Sequence, residues 1–295
     1  MKVHSIVTIM DKPTRKQTAL KRALAMQKVT GAALELVSFC WESMDELREL
    51  TDARERRAVK RGIIAERKAW QREMLASTGG SGTDITYRTV WTNNIAEWTL
   101  RRIEESQHDL IIKSVEYSKS LLPTLLDWQL LREANVPLLL TSTRRRRPSG
   151  NVLAAIDLRS KDRLHDKLNR VVLDAAHSYA AATGTKMHCV YVIEVSQILK
   201  DLDAIDPDAI RKKAIEKSRA RLDELLSPYA VPKTRIHLPT GRVGHGVAGT
   251  AHKIKADLLV VGTAAHHARQ LVGLGNSAER VLARAPCDVL AVHPQ

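Results

Sequence analysis

The chain has 295 residues, 44% of them apolar and 4% aromatic, and a net charge of +14. That length suits two domains of roughly 150 residues each, with cores of Leu, Ile, Val and Ala, and no apolar run reaches the roughly 18–20 residues of a membrane span. Cys40, Cys189 and Cys287 are odd in number, far apart and set among apolar residues, which excludes a disulfide framework and fits buried thiols in a reducing cytoplasm.

Met1-Lys2-Val3 runs straight into a strand, His4 to Met10, closed by Asp11, with no signal-peptide pattern. A helix over 14–30 follows, then a Thr-Gly turn and a strand over 33–39. Residues 46–77 read as a long charged helix with Val59, Ile63, Trp70 and Met74 at helical spacing as its buried stripe. Its arginines and lysines would then form a solvated face. A strand over 84–90, a helix over 95–106, a strand from Asp109 and a closing strand, Pro137 to Thr141, complete the first half.

The second half repeats this plan. A strand from Asn151 ends in Asp157, and a helix over 164–183 precedes a strand over 186–193. Then come a helix over 207–227, a strand over 233–237, a helix over 244–255 and strands at 257–261 and 288–292. Between the halves, Arg144-Arg-Arg-Arg-Pro-Ser-Gly150 is charged and breaker-rich, as an exposed linker should be. The expected division is therefore 1–143, 144–150 and 151–295. The linker position accounts for the arginine run without a nucleic-acid role, and the dispersed charge names no partner.

Strands alternating with helices give a parallel sheet with right-handed crossovers. The expected fold is α/β, with two tandem Rossmann-like domains, each a five-stranded parallel sheet of order 3-2-1-4-5. Such sheets bind ligands beyond the carboxyl ends of the strands where the order reverses. In the second half that crevice lies between Asp157 and Gly262. From Gly262 the chain runs through Ala265, His266, His267 and Arg269 to Gly275-Asn276-Ser277. Asn276 or Ser277 would cap the last helix, whose amides make an anion site. Arg269 is placed to neutralise phosphate.

Here the sequence resembles universal stress proteins, whose Gly-x2-Gly-x9-Gly-(Ser/Thr) pattern appears as Gly262-x2-Ala265-x9-Gly275-Asn276-Ser277. Leu274-Gly-Asn-Ser-Ala-Glu279 and Asp127-Trp128-Gln-Leu-Leu-Arg132 are similar to the E-type tandem branch. The resemblance implies two adenine nucleotide alpha hydrolase-like domains. It implies that Asp157 faces the nucleoside of an ATP-type ligand, and that the Val192 backbone meets adenine. Gly262, Ala265, Gly275, Asn276 and Ser277 would line ribose and phosphates, with Asp157 helping to hold Mg2+. The Cβ of Ala265 stands where backbone should approach phosphate, which works against triphosphate binding.

The first half lacks these features. Lys113-Ser-Val-Glu116-Tyr117 replaces the glycine turn and Leu122 to Trp128 replaces the cap, so Asp11 has no phosphate-site partners. That half is read as structural or fitted to an apolar ligand. No phosphate-loop, nucleophile-elbow or His-Glu-x-x-His motif is present, so dedicated catalysis is not expected; slow ATP hydrolysis is the most the residues allow. His245, His266 and His267 on neighbouring loops form a candidate metal site, against the plainer reading of polar loop residues. His188 reads as a core or interface residue. Two function classes remain: a stress-response nucleotide-binding protein, or a nucleotide-free interaction protein contacting acidic partners. Family members pair through the fifth strand, so Pro137 to Thr141 and Asp288 to Val292 are candidate edges for an intramolecular pseudo-dimer or a homodimer.

Overall fold

A computed structural model describes residues 2–43, 52–78, 84–115, 124–142, 150–159, 162–194, 207–263 and 276–294. The chain divides into two compact units, Lys2–Ser114 and Val115–Gln295.

In the first unit, β1 (Ser5–Ile9), α1 (Thr18–Thr30), β2 (Ala33–Cys40), α2 (Ala53–Ser77), β3 (Ile85–Trp91), α3 (Ile95–Ser106) and β4 (Leu110–Ser114) follow in order. The strands pair in parallel as β3-β2-β1-β4. Ile6, Leu34, Leu36, Leu110, Ile111 and Ile112 are fully buried, as strands covered on both faces require. Helix α1 starts four residues later than the periodicity places it, at Thr18.

The stripe expected on α2 is not buried. Val59 is 40% exposed, Ile63, Trp70 and Met74 are half-buried, and the one buried side chain of the helix is Gln71. Gln71 donates to the Leu36 carbonyl at 2.9 Å and accepts from Thr89 at 3.0 Å. The helix docks by a buried polar anchor, and its apolar residues complete the contact only in part.

In the second unit come α4 (Leu125–Glu133), β5 (Leu138–Thr141), β6 (Asn151–Ala155), α5 (Arg163–Thr183), β7 (Lys186–Val190) and α6 (Pro207–Leu226). After them lie β8 (Ile236–His237), α7 (Val243–Lys253), β9 (Leu258–Gly262), α8 (Asn276–Leu282) and β10 (Asp288–Val292). The order β8-β7-β6-β9-β10 is the expected 3-2-1-4-5, parallel throughout. The third strand is only two residues long, because Lys233–Arg235 forms a 3-10 turn. On the far side of β10 lies β5, antiparallel, with Leu140 opposite Val289. The two candidate edge strands therefore pair with each other, and Asp288 accepts from the Ser142 amide at 2.8 Å.

The repeat shows in one small device. Asp109, just before β4, accepts from the amides of His4 and Ser5 at 2.7 and 3.0 Å. Asp257, just before β9, accepts from Gly150 and Asn151 at 2.7 and 3.3 Å. In both halves the fourth strand's aspartate anchors the first strand's entry. All three cysteines are buried thiols, and burial pushes Cys189 up to about 12. No helix among the described residues is long and apolar enough to cross a membrane.

Candidate functional site

The chain leaves β6 towards β7 on one side, while β9 pairs on the other, so the carboxyl ends of β6 and β9 part and leave a crevice. A cavity of about 310 Å3 lies there, within the range of small-molecule sites. Its wall is mainly apolar, from Ile156, Leu168, Val172, Val247, Val261 and Val281. Asp157, Val192 and Gly262 line it as expected, so the structure brings together three of the predicted site residues. Ala265, Gly275, Arg269, His266 and His267 lie outside the described residues, as do Glu116 and the arginine linker. Helix α8 begins at Asn276, which puts Asn276 and Ser277 in its first turn.

Val192 presents backbone to this cavity. The amides of Tyr191 and Ile193 donate across to His237 and Pro239 at 3.0 and 2.9 Å. Alternation turns the N–H and C=O of Val192 the other way, towards the crevice beyond β6. Neither group has a partner among the described residues, although the residue is 4% exposed. A buried backbone donor and acceptor side by side ask for a ligand edge or water.

Asp157 sits at the mouth. Its backbone is clamped by buried Asn169 on α5, which accepts from its amide at 2.9 Å and donates to its carbonyl at 2.7 Å. Its carboxylate accepts from the Arg159 guanidinium, Nε to Oδ1 at 3.0 Å and Nη2 to Oδ2 at 2.7 Å. Burial alone would raise this carboxyl, but the hydrogen bonds from Arg159 hold it below the usual range. Arg159 also donates through Nη1 to Glu194. Helix α5 carries its own N-cap, Asp162, which accepts from the His165 amide, so Asp157 is spared that task.

Glycine also serves packing here. A Cβ on Gly262 would stand 2.5 Å from Leu168 Cγ, so this position admits a side chain of α5. Helix α7 starts at Val243, so His245 lies on a helix and not on a loop. Within that helix, Cβ atoms on Gly244 and Gly246 would meet Arg280 and Val192 at 2.8 Å; these glycines let α7 approach both neighbours. His245 is exposed on α7. No group of three potential metal ligands occurs among the described residues.

In the first half the matching aspartate has turned inward. Asp11 Oδ2 accepts from the Thr18 and Ala19 amides at 2.9 and 3.3 Å and from Ser114 Oγ at 2.9 Å. Gln17, the N-cap of α1, makes no capping bond, and Asp11 supplies it. Ser114 stands where the second half has Gly262, at the last position of the fourth strand. Burial raises the Asp11 carboxyl. This carboxylate is spent on the start of α1 and on Ser114.

Arg159, Asn169 and Leu168 escaped the sequence reading. Asn169 had a signal, since it falls on the apolar stripe of Val172, Leu173 and Ala176, where an amide must have a partner.

A family model described as the universal stress protein family matches residues 149–293. Over 98% of this chain and 94% of the relative, 25% of residues are identical to Universal stress protein E of Escherichia coli (strain K12). Universal stress protein A homolog 1 of Coxiella burnetii is 36% identical over 144 residues, 48% of this chain and 94% of that protein. A universal stress protein crystal structure from Archaeoglobus fulgidus DSM 4304 shares the fold, with a TM-score of 0.64, 15% identity and 98% of both chains covered.

Proposed function

The chain belongs to the universal stress protein family, and from that premise we propose that it is a stress-response binding protein whose second half takes an adenine nucleotide. The observation that carries this reading is the pair of unpartnered backbone groups of Val192 on an apolar cavity. One N–H and one C=O on the same side of a strand match the N1 acceptor and N6 donor of adenine. The apolar walls suit a flat heteroaromatic ring, and the ribose then points to Asp157 at the mouth. Phosphates run on towards the segment from Gly262 to Ser277, with Ala265, Gly275 and Asn276 in the same role. Mg2+ arrives on the phosphates, since the Asp157 carboxylate is already shared with Arg159.

The protein is a binder and not a dedicated enzyme in this reading. The described lining offers Asp157, Arg159 and His165 as its charged or imidazole side chains, with Tyr191 beside them; the carboxylate is held by Arg159 and the imidazole is hydrogen-bonded to Asp162 at 2.8 Å. The division into repeats at 1–143, 144–150 and 151–295 belongs to the same proposal, with the first repeat as a site-less partner. A cytoplasmic location belongs to the same proposal, supported by the three buried free thiols.

Calorimetry with ATP and GTP tests the base. Guanine reverses the donor and acceptor order on the edge facing Val192, so GTP binds at least about tenfold more weakly. Equal affinity for both nucleotides, or no heat with either at millimolar concentration, sinks the reading. The second outcome would support a nucleotide-free interaction protein.

A further inference from the structure

The mouth of the cavity carries an arginine that the motif does not call for. With adenine against Val192, most of the described wall is apolar, and the polar end of a ligand must leave past Asp157, Arg159 and His165. Asp157 and Glu194 are both anionic and would repel a phosphate. Arg159 lies between them as the permanent cation.

Its geometry is fixed from two sides. Nε and Nη2 grip Asp157 as a fork, at 3.0 and 2.7 Å, and Nη1 is held by Glu194. The Arg159 amide also donates to Asp157 Oδ1 at 2.9 Å, so backbone and side chain are tied to one carboxylate. A guanidinium has five N–H donors, and these contacts use three. One N–H on each Nη has no partner among the described residues. A guanidinium already oriented by carboxylates loses less freedom when it binds an oxyanion. Its charge-assisted bonds to phosphate are stronger than those to a hydroxyl.

We propose that Arg159 is the specificity-determining residue of this cavity, selecting phosphorylated adenine ligands over the bare nucleoside. Asp157 and Glu194 are its positioning residues, and it keeps them while its remaining donors take the phosphate nearest the ribose. This rests on the adenine reading above. It also bears on Ala265: a site that reads the first phosphate at Arg159 is less dependent on a glycine cradle for the last one. AMP should then bind nearly as well as ATP.

The test is titration calorimetry of adenosine, AMP and ATP against the full chain and against Arg159→Gln and Arg159→Lys. In the unaltered protein AMP and ATP should bind about tenfold more tightly than adenosine. Arg159→Gln should bring that ratio towards one while adenosine affinity stays within about twofold, and Arg159→Lys should keep part of the preference. Thermal unfolding of each variant without ligand shows that it is folded. Three outcomes overturn the proposal: an unchanged ratio, an equal loss for adenosine and AMP, or tighter binding in Arg159→Gln. If adenosine binds the unaltered protein without phosphate preference, only the role of Arg159 falls. If no adenine ligand binds, the adenine reading falls with it.

Discussion

The two halves place an aspartate at the end of the first strand, and each uses it differently. Asp11 closes onto Thr18, Ala19 and Ser114, whereas Asp157 faces a cavity and holds Arg159. The difference begins one helix away. Helix α1 has no cap of its own at Gln17, and α5 is capped by Asp162. Because α5 satisfies its own amides, the Asp157 carboxylate is left to face the cavity and hold Arg159.

A second matched position tells the same story. On β2 and β3, Glu35 accepts from Arg88 at 2.9 Å, from Arg102 and from His108. In register, the equivalents of Glu35 and Arg88 on β7 and β8 are His188 and His237, stacked with ring nitrogens 3.0 Å apart. Burial raises the Glu35 carboxyl, but His108, Arg102 and Arg88 together pull it far below its usual value. Burial, with His237 nearby, pushes His188 down to about 4. The first half stores charge in its sheet where the second keeps a neutral pair.

Replacing Glu35 should be the most damaging change. Glu35→Ala leaves three donors around a buried gap and should cost about 3 kcal/mol, read as a lower urea midpoint. His188→Ala should cost about 1 kcal/mol, the scale of one hydrogen bond. Equal losses would mean that the matched positions are not energetically distinct.

Gly262→Ala comes next. Its Cβ would overlap Leu168, at about 1–3 kcal/mol for overpacking, and that penalty should vanish in a Leu168→Ala background. Ser114→Ala, at the matching place, should cost about 1 kcal/mol through the lost bond to Asp11. A Gly262→Ala protein as stable as the parent would show that this glycine serves only a ligand.

The smallest effects are in the pH dependence, where the two aspartates have opposite signs. Asp11 is raised in the folded state, so the folded chain binds its proton more tightly than the unfolded chain. Stability relative to Asp11→Asn therefore falls as pH rises through the carboxylate range. Asp157 is lowered, so its contribution is present above the unfolded value and is lost as pH falls through the folded one. Relative to Asp157→Asn, stability should rise over the same range. Urea unfolding of both variants between about pH 3 and pH 6 measures the two slopes. Slopes of the same sign would undo the contrast between the aspartates.

Much of the fold was legible because period and breaker residues recur in both halves. The strand order of the second half follows from strands, crossovers and aspartate-ended turns visible in the chain. The site was half legible: Asp157, Val192 and Gly262 meet at one cavity. Arg159 was not read, because a residue two places after an aspartate carries no periodic signal of where its guanidinium turns. Leu168 was missed because its contact with Gly262 joins a helix to a strand far along the chain. The stripe on α2 misled because helical spacing reports which residues share a face, not how much protein lies opposite that face.

The antiparallel seam between β5 and β10 has a bearing on dilution. Two separate copies that met through such edges would come apart as their concentration fell. Here both edges sit on one chain, so the encounter is intramolecular and its effective concentration is set by the tether. Cut the gene at residue 150, and the second repeat would carry a bare apolar edge at Asp288–Val292, open to whichever strand came first.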